Sequence, residues 1–176
     1  FDIAKALQPQ YILMKNVPEF IDAYHTIQIG DGTNAKQKIR TTISQIMPNY
    51  NMEYGILNAM HFNTPQNRKR AFILLSRNDT PVWTLPDIVT KIPQTVIDAI
   101  GHLPSLESGE DSSITHKYHV APKHNDKHIL WMQHTPSGRT AHNNPMHFPQ
   151  KANGAKIKGF KTTHKRINPN KPCTTI

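Results

Sequence analysis

Thr64-Pro65-Gln66-Asn67-Arg68-Lys69-Arg70-Ala71-Phe72-Ile73-Leu74-Leu75 is the stretch on which the fold turns. A basic turn opens directly into an apolar run over residues 71–75. So short a run, rich in branched and aromatic residues, predicts a buried strand. Pro65 withholds a backbone donor and forbids a helix through the turn. On an extended chain Arg68 and Arg70 point the same way, Lys69 points opposite, and Gln66 joins the arginine side. Two guanidinium forks and an amide at the mouth of a strand suit a phosphate or a base edge. An ordinary solvated basic turn ahead of a strand reads the same letters equally well.

Working outward, residues 11–14 (Tyr-Ile-Leu-Met) form a second short apolar run. It predicts a central strand of a parallel sheet. Lys15, Asn16 and Val17 then stand at its carboxyl end, where open α/β sheets bind ligands. Before it, Phe1, Ile3, Ala4 and Leu7 have the spacing of an amphipathic helix that Pro9 stops. After it, residues 18–25 read as a short helix and 29–34 as a loop. Ile39, Ile43, Ile46 and Met47 predict a surface helix starting near Ala35, closed by Pro48. Residues 51–62 alternate as a strand. Residues 85–93 read as loop, and 93–101 as a short helix with Pro near its start and Gly past its end.

Charge divides the 176 residues unevenly. Residues 1–111 carry ten Lys/Arg against eleven Asp/Glu, and residues 112–176 carry eleven Lys/Arg against one acid, Asp126. A near-neutral scaffold joined to a strongly basic part predicts a polyanion-binding surface. The turn-rich stretch 102–109 marks the junction. Beyond it, residues 112–160 show turn signals every few residues and no long helix, which predicts a small irregular domain with short strands. Trp131, Phe148 and Phe160 argue against a merely disordered basic tail. No apolar stretch nears the roughly 20 residues of a membrane span. The single cysteine excludes an internal disulfide and suits a reducing compartment. The chain opens on Phe1 rather than Met, which reads as a processed or truncated end.

Eight of the histidines lie in the basic part: His116, His119, His124, His128, His134, His142, His147 and His164. His116-x-x-His119 and His124-x-x-x-His128 have the spacing of zinc ligands. No cysteine pair or carboxylate set completes such a site, so no metal is expected, and surface or phosphate-facing roles explain these histidines more simply.

Three motifs, in order, resemble the DNA cytosine-5 methyltransferases. Gln66-Asn67-Arg68-Lys69-Arg70 resembles that family's Gln-x-Arg-x-Arg. Lys15-Asn16-Val17, at the end of an apolar strand, resembles its Glu-Asn-Val with lysine in place of glutamate. Lys165-Arg166-Ile167 followed by Pro172-Cys173-Thr174-Thr175-Ile176 resembles its late Arg-(Leu/Ile)…Pro-x-x-Thr-Ile segment.

The resemblance implies an α/β fold: a partial Rossmann-like methyltransferase sheet, then a small, irregular, mostly β target-recognition domain. Residues 1–103 would be the back half of the catalytic domain, 104–163 the target-recognition domain, and 164–176 the return segment. Double-stranded DNA is the implied partner, with cytosine flipped from the stack for methylation. Arg68 and Arg70 would hold the flipped nucleotide, and Lys15 would stand where the family's glutamate holds the base. Asn16, Gln66, Arg139, Lys158, Lys161, Lys165 and Arg166 would join them on DNA, the lysines mainly at phosphates. Trp131 through Arg139 is the candidate DNA-facing loop, an aromatic anchor followed by a Gly turn with an arginine. The competing reading puts Trp131 in the small domain's core.

S-adenosylmethionine is implied for the complete enzyme. No residue of this chain is expected to bind it, because the Gly-rich cofactor loop and Pro-Cys nucleophile lie upstream in the family. Cys173 fits the terminal motif rather than the nucleophile. The chain alone is therefore expected to be inactive, with a second chain as one source of the missing parts. A non-catalytic DNA-binding module derived from such an enzyme is the alternative. The expected location is cytoplasmic, prokaryotic or phage-like, with DNA.

Overall fold

The computed structural model describes residues 1–30, 32–157 and 164–175. It separates into two compact units: Phe1–Asn63 with Asn67–Ile92, and Thr64–Gln66 with Pro93–Ile176.

The first unit runs α1 (Asp2–Leu7), β1 (Tyr11–Asn16), a 3-10 turn (Pro18–Asp22), β2 (Tyr24–Gln28), β3 (Asn34–Lys38), α2 (Ile39–Ile46) and β4 (Tyr50–Asn58). The short β5 (Gln66–Asn67) precedes β6 (Lys69–Arg77). The apolar run forms β6, as its composition predicts, and it is the middle strand of the order β1-β6-β4. Ala71, Ile73, Leu74 and Leu75 are 1–3% exposed.

β1 is not a central strand of a parallel sheet. It pairs antiparallel with β6 and occupies an edge of the three-stranded order, and β4 is antiparallel to β6 as well. An apolar run of four residues says that a strand is buried on one side or more, but not in which direction its neighbour runs.

Register fixes what each face carries. Ile12, Met14 and Asn16 lie opposite Leu75, Ile73 and Ala71, which in turn oppose Met52, Tyr54 and Ile56. This face meets α2, whose Ile43, with Met47 just past its end, joins Tyr50, Ile73 and Leu75 in the core cluster. The opposite face carries Leu13 and Lys15, opposed to Leu74 and Phe72. Segment 81–85 covers part of it. The Trp83 N–H donates to Ser76 Oγ at 2.7 Å and the Leu85 N–H to Glu53 Oε1 at 2.8 Å. Gly55 leaves room there, since a Cβ at that position would stand 2.5 Å from Leu85 Cδ1. Ile73→Ala opens a cavity at the middle of the sheet and is expected to cost about 2–5 kcal/mol, read by denaturant unfolding.

Two further elements depart from the sequence reading. The helix near Ala35 begins only at Ile39, because Asn34–Lys38 pairs with Tyr24–Gln28 as a hairpin. The expected helix over 18–25 is the short 3-10 turn followed by β2.

The second unit holds α3 (Val96–Ile100), α4 (Asp126–His134), a 3-10 turn (Ala141–Asn143) and β7 (Cys173–Thr174). α3 lies within the predicted 93–101 helix but begins only at Val96, three residues after Pro93. Thr95 caps it, Thr95 and Asp98 form a reciprocal capping box, and Gly101 is the C-cap. "Mostly β" does not describe this unit. Among the described residues it has two helices, the two-residue strand β7 and isolated bridges such as Thr140–Lys165. α4 was missed because the Pro136-Ser137-Gly138 turn directly after it colours the whole window as loop.

Candidate nucleic-acid interface

In the first unit, β1 and β6 bring two of the predicted residues together. Lys15 opposes Phe72, and Arg70 is two residues along β6 from Phe72, so side-chain alternation puts Lys15 and Arg70 on the same face. Such diagonal neighbours stand roughly 7–8 Å apart. Lys15 is exposed and Arg70 half-buried. The Arg70 guanidinium donates to the Lys69 carbonyl at 2.7 Å. Among the described residues neither Lys15, Arg68 nor Arg70 has a carboxylate partner. Three cations near one strand end, with no counter-charge of their own, make a site for an anion or an electron-rich base edge.

Asn58 shapes the arginine-bearing turn. It is 6% exposed, and its Oδ1 accepts from the Arg68 N–H at 3.0 Å while its Nδ2 donates to Asn67 Oδ1 at 2.8 Å. The Ala59 N–H donates to the Arg68 carbonyl at 3.0 Å, which carries the pairing one step past β6. Sequence reasoning missed Asn58, since its role depends on a turn ten residues away. Asn58 ends β4 but lies inside the predicted strand 51–62, so the sequence does not mark it out.

Asn16 is on the other face of β1 from Lys15, and its Oδ1 accepts from the Val17 N–H at 2.8 Å. Its side chain shapes the turn rather than extending the cationic face. Gln66 is grouped with the second unit. There the Cys173 N–H donates to the Pro65 carbonyl at 2.8 Å.

Arg139, Lys165 and Arg166 come together within the second unit. The Gly138 N–H donates to the Arg166 carbonyl at 2.8 Å and the Arg166 N–H to the Arg139 carbonyl at 2.9 Å. Gly138 takes φ +75°, a conformation that favours glycine, and it turns the chain into this pairing. All three cationic residues are exposed, and Arg166 also reaches the Thr135 carbonyl at 3.2 Å. Lys158 and Lys161 lie outside the described residues. Trp131 is in α4, not in a loop, so the candidate DNA-facing loop shortens to residues 135–139. Its ring is half-buried, 4.9 Å from the His128 ring and 5.5 Å from that of His164.

The histidines gather around that tryptophan. His128 is also 5.4 Å from His164 and 6.4 Å from His124, centroid to centroid. Among the described residues no three His, Cys, Asp or Glu side chains are placed to share a metal ion. His164 keeps much of its surface exposed, yet partial burial holds its imidazole below the ordinary 6.5, with repulsion from His128, His142 and His124 adding to it. Its neutral form is thus favoured in the fold. The unfolded chain binds the extra proton near pH 6.5, so this contribution to stability is complete above that value and is lost as pH falls through the lowered folded value. The thermal midpoint should therefore fall between about pH 7 and pH 5, less steeply in His164→Gln. A midpoint that rises on acidification would contradict the assignment.

The family described as C-5 cytosine-specific DNA methylase matches residues 1–176, and the chain belongs to it. Type II methyltransferase M1.HgaI of Avibacterium volantium is 38% identical over 176 residues, covering 98% of this chain and 46% of that protein. Type II methyltransferase M1.HphI of Haemophilus parahaemolyticus is 30% identical over 138 residues, covering 77% of this chain and 33% of that protein. The chain thus spans half or less of the length of these two relatives. The crystal structure of S. pombe Dnmt2 methyltransferase aligns with a TM-score of 0.40 at 24% identity, covering 73% of this chain and 35% of that one.

Proposed function

We propose that these residues are the base-holding and target-reading part of a DNA cytosine-5 methyltransferase of the type II restriction-modification kind. The observation that carries the reading is the shared face of Lys15 and Arg70, unpaired with any described carboxylate. In this reading Arg68 and Arg70 grip the extruded nucleotide, and their guanidinium forks supply the hydrogen bonds that replace base pairing. Residues 1–103 serve the catalytic part and 104–163 the recognition part. Residues 164–176 serve as the return segment to the catalytic part. Arg139, Lys165 and Arg166, with Lys158 and Lys161, meet phosphates and so position the protein without specifying sequence. The assembly works on DNA in a prokaryotic cytoplasm. No described helix is long and apolar enough to cross a membrane.

Among the described residues, the end of β1 does not fit S-adenosylmethionine. The turn after β1 is Val17-Pro18 rather than a glycine-rich one, and it leads into a five-residue 3-10 turn rather than a helix N-terminus. The methyl donor and a Pro-Cys nucleophile are assigned to other residues of the complete enzyme, in the same polypeptide or in a second chain. The edge position of β1 supports that assignment, as do the exposed Ile3, Leu7 and Leu13, which leave an apolar margin for more sheet.

Lys15 limits the chemistry. A carboxyl group accepts from the cytosine amine and donates to ring nitrogen 3, whereas an ammonium has three donors and no acceptor. It meets the amine donor against donor and adds a positive charge beside a ring that is gaining a proton. Methyl transfer through this site is therefore slow. Co-expression with a chain carrying the cofactor loop and Pro-Cys tests the reading. Methylation of DNA in the mixture, absent from either chain alone, supports it. Tight DNA binding without methylation in any mixture, including with Lys15→Glu, supports the non-catalytic module instead.

A further inference from the structure

We infer that Arg40 is a positioning residue: through the 3-10 turn that follows β1, it holds Lys15–Val17 in place beside Arg70. The inference rests on the base-holding reading above and adds to it a residue outside all three motifs.

The turn Pro18–Asp22 is a weak element by itself. Its own backbone bonds include Phe20 N–H to the Val17 carbonyl at 3.0 Å and Ala23 N–H to the Phe20 carbonyl at 3.3 Å, and 3-10 geometry makes each a poor bond. The buried Ile21 anchors one side, at 6% exposed. Arg40 fixes the other side. Its Nε donates to the Ile21 carbonyl at 2.8 Å and its Nη2 to Asp22 Oδ1 at 2.7 Å. Its guanidinium carbon is 4.2 Å from the centroid of the Tyr54 ring. Tyr54 opposes Ile73, and Ile73 opposes Met14, one residue before Lys15. One planar cation thus links α2, the turn and the sheet on which the site is built.

Only a guanidinium does all of this. It offers two donors along one edge and a flat face to an aromatic ring, whereas an ammonium offers a point charge. A surface ion pair alone does not account for the placement. The Asp22 side chain is 71% exposed, and such pairs contribute little. The Arg40 side chain, in contrast, is only 20% exposed. Its position also works against α2. Arg40 stands in the first turn, which has no acidic residue, where the helix dipole disfavours a cation. The residue therefore serves its contacts rather than its helix.

The test uses the complete methyltransferase assembly and a duplex selected by it, with 2-aminopurine at the target position as a reporter of base extrusion. For Arg40→Ala the expected result is emission near that of the free duplex, with the DNA dissociation constant within about threefold, because phosphate contacts elsewhere set affinity. Millimolar methylguanidinium should restore part of the emission, and Arg40→Lys should not. Unchanged emission would overturn the inference. So would a joint fall of emission, affinity and thermal midpoint with no response to methylguanidinium, which is the mark of a purely structural role. A wild-type assembly that gives no emission would instead sink the base-holding reading, and this inference with it.

Discussion

Lys15→Glu, made in the complete assembly, is expected to raise methyl transfer by roughly 10²-fold or more, the scale of a positioned acid–base group. Lys15 is exposed, and among the described residues its ammonium has no hydrogen bond or ion pair, so the substitution breaks nothing that holds β1. It replaces a donor-only group by one able to accept from the cytosine amine and, when protonated, to donate to ring nitrogen 3. It also sets a carboxyl on the face that carries Arg70, whose positive charge would favour its ionised form. The gain should therefore be largest on the acid side of neutrality, where that carboxyl keeps its proton more often. Initial rates with labelled methyl donor across pH give the answer. No gain at any pH would remove Lys15 from the base-holding role.

The second large effect concerns salt. Eleven Lys/Arg against one acid in residues 112–176 make that part the expected electrostatic footprint on DNA. Each phosphate neutralised releases condensed counterion, so the slope of log affinity against log salt falls by about 0.9 per contact on duplex DNA. Replacing Arg139, Lys165 and Arg166 together with glutamine should flatten the slope by about two to three. The backbone bonds from Gly138 to Arg166 and from Arg166 to Arg139 do not use these side chains, so the turn should persist although the Arg166 bond to the Thr135 carbonyl is lost. An unchanged slope would place the footprint elsewhere. A matched triple replacement of Lys5, Lys36 and Lys91 in the first 111 residues serves as the control.

How much of this the sequence carries depends on what each feature needs. β6 was plain because an apolar run bounded by a Pro turn has few alternatives. The core half of α2 was plain because Ile39, Ile43, Ile46 and Met47 repeat with the helical period. β3 was not, since Asn34-Ala35-Lys36-Gln37-Lys38 has no strand composition and pairs only because the loop through Gly30 and Gly32 folds it back on β2. A glycine-flanked hairpin turn was the available signal. The direction of β1 was illegible because apolar runs do not encode the sense of their neighbours. The motifs name Lys15, Arg68 and Arg70 but do not say which of them share a face. Lys15 and Asn16 are adjacent in sequence and lie on opposite faces, which follows only from register. Arg40 and Asn58 stayed hidden because each acts through partners at least nine residues away.

The central claim is that Arg68 and Arg70, beside Lys15, grip a nucleotide drawn out of the duplex. Emission of 2-aminopurine at the target position, compared between the wild-type assembly and Arg68→Ala/Arg70→Ala at saturating protein, tests it most directly. Strong emission is expected for the wild type and near-duplex emission for the double variant, with both still bound to DNA. Equal emission from the two would contradict it.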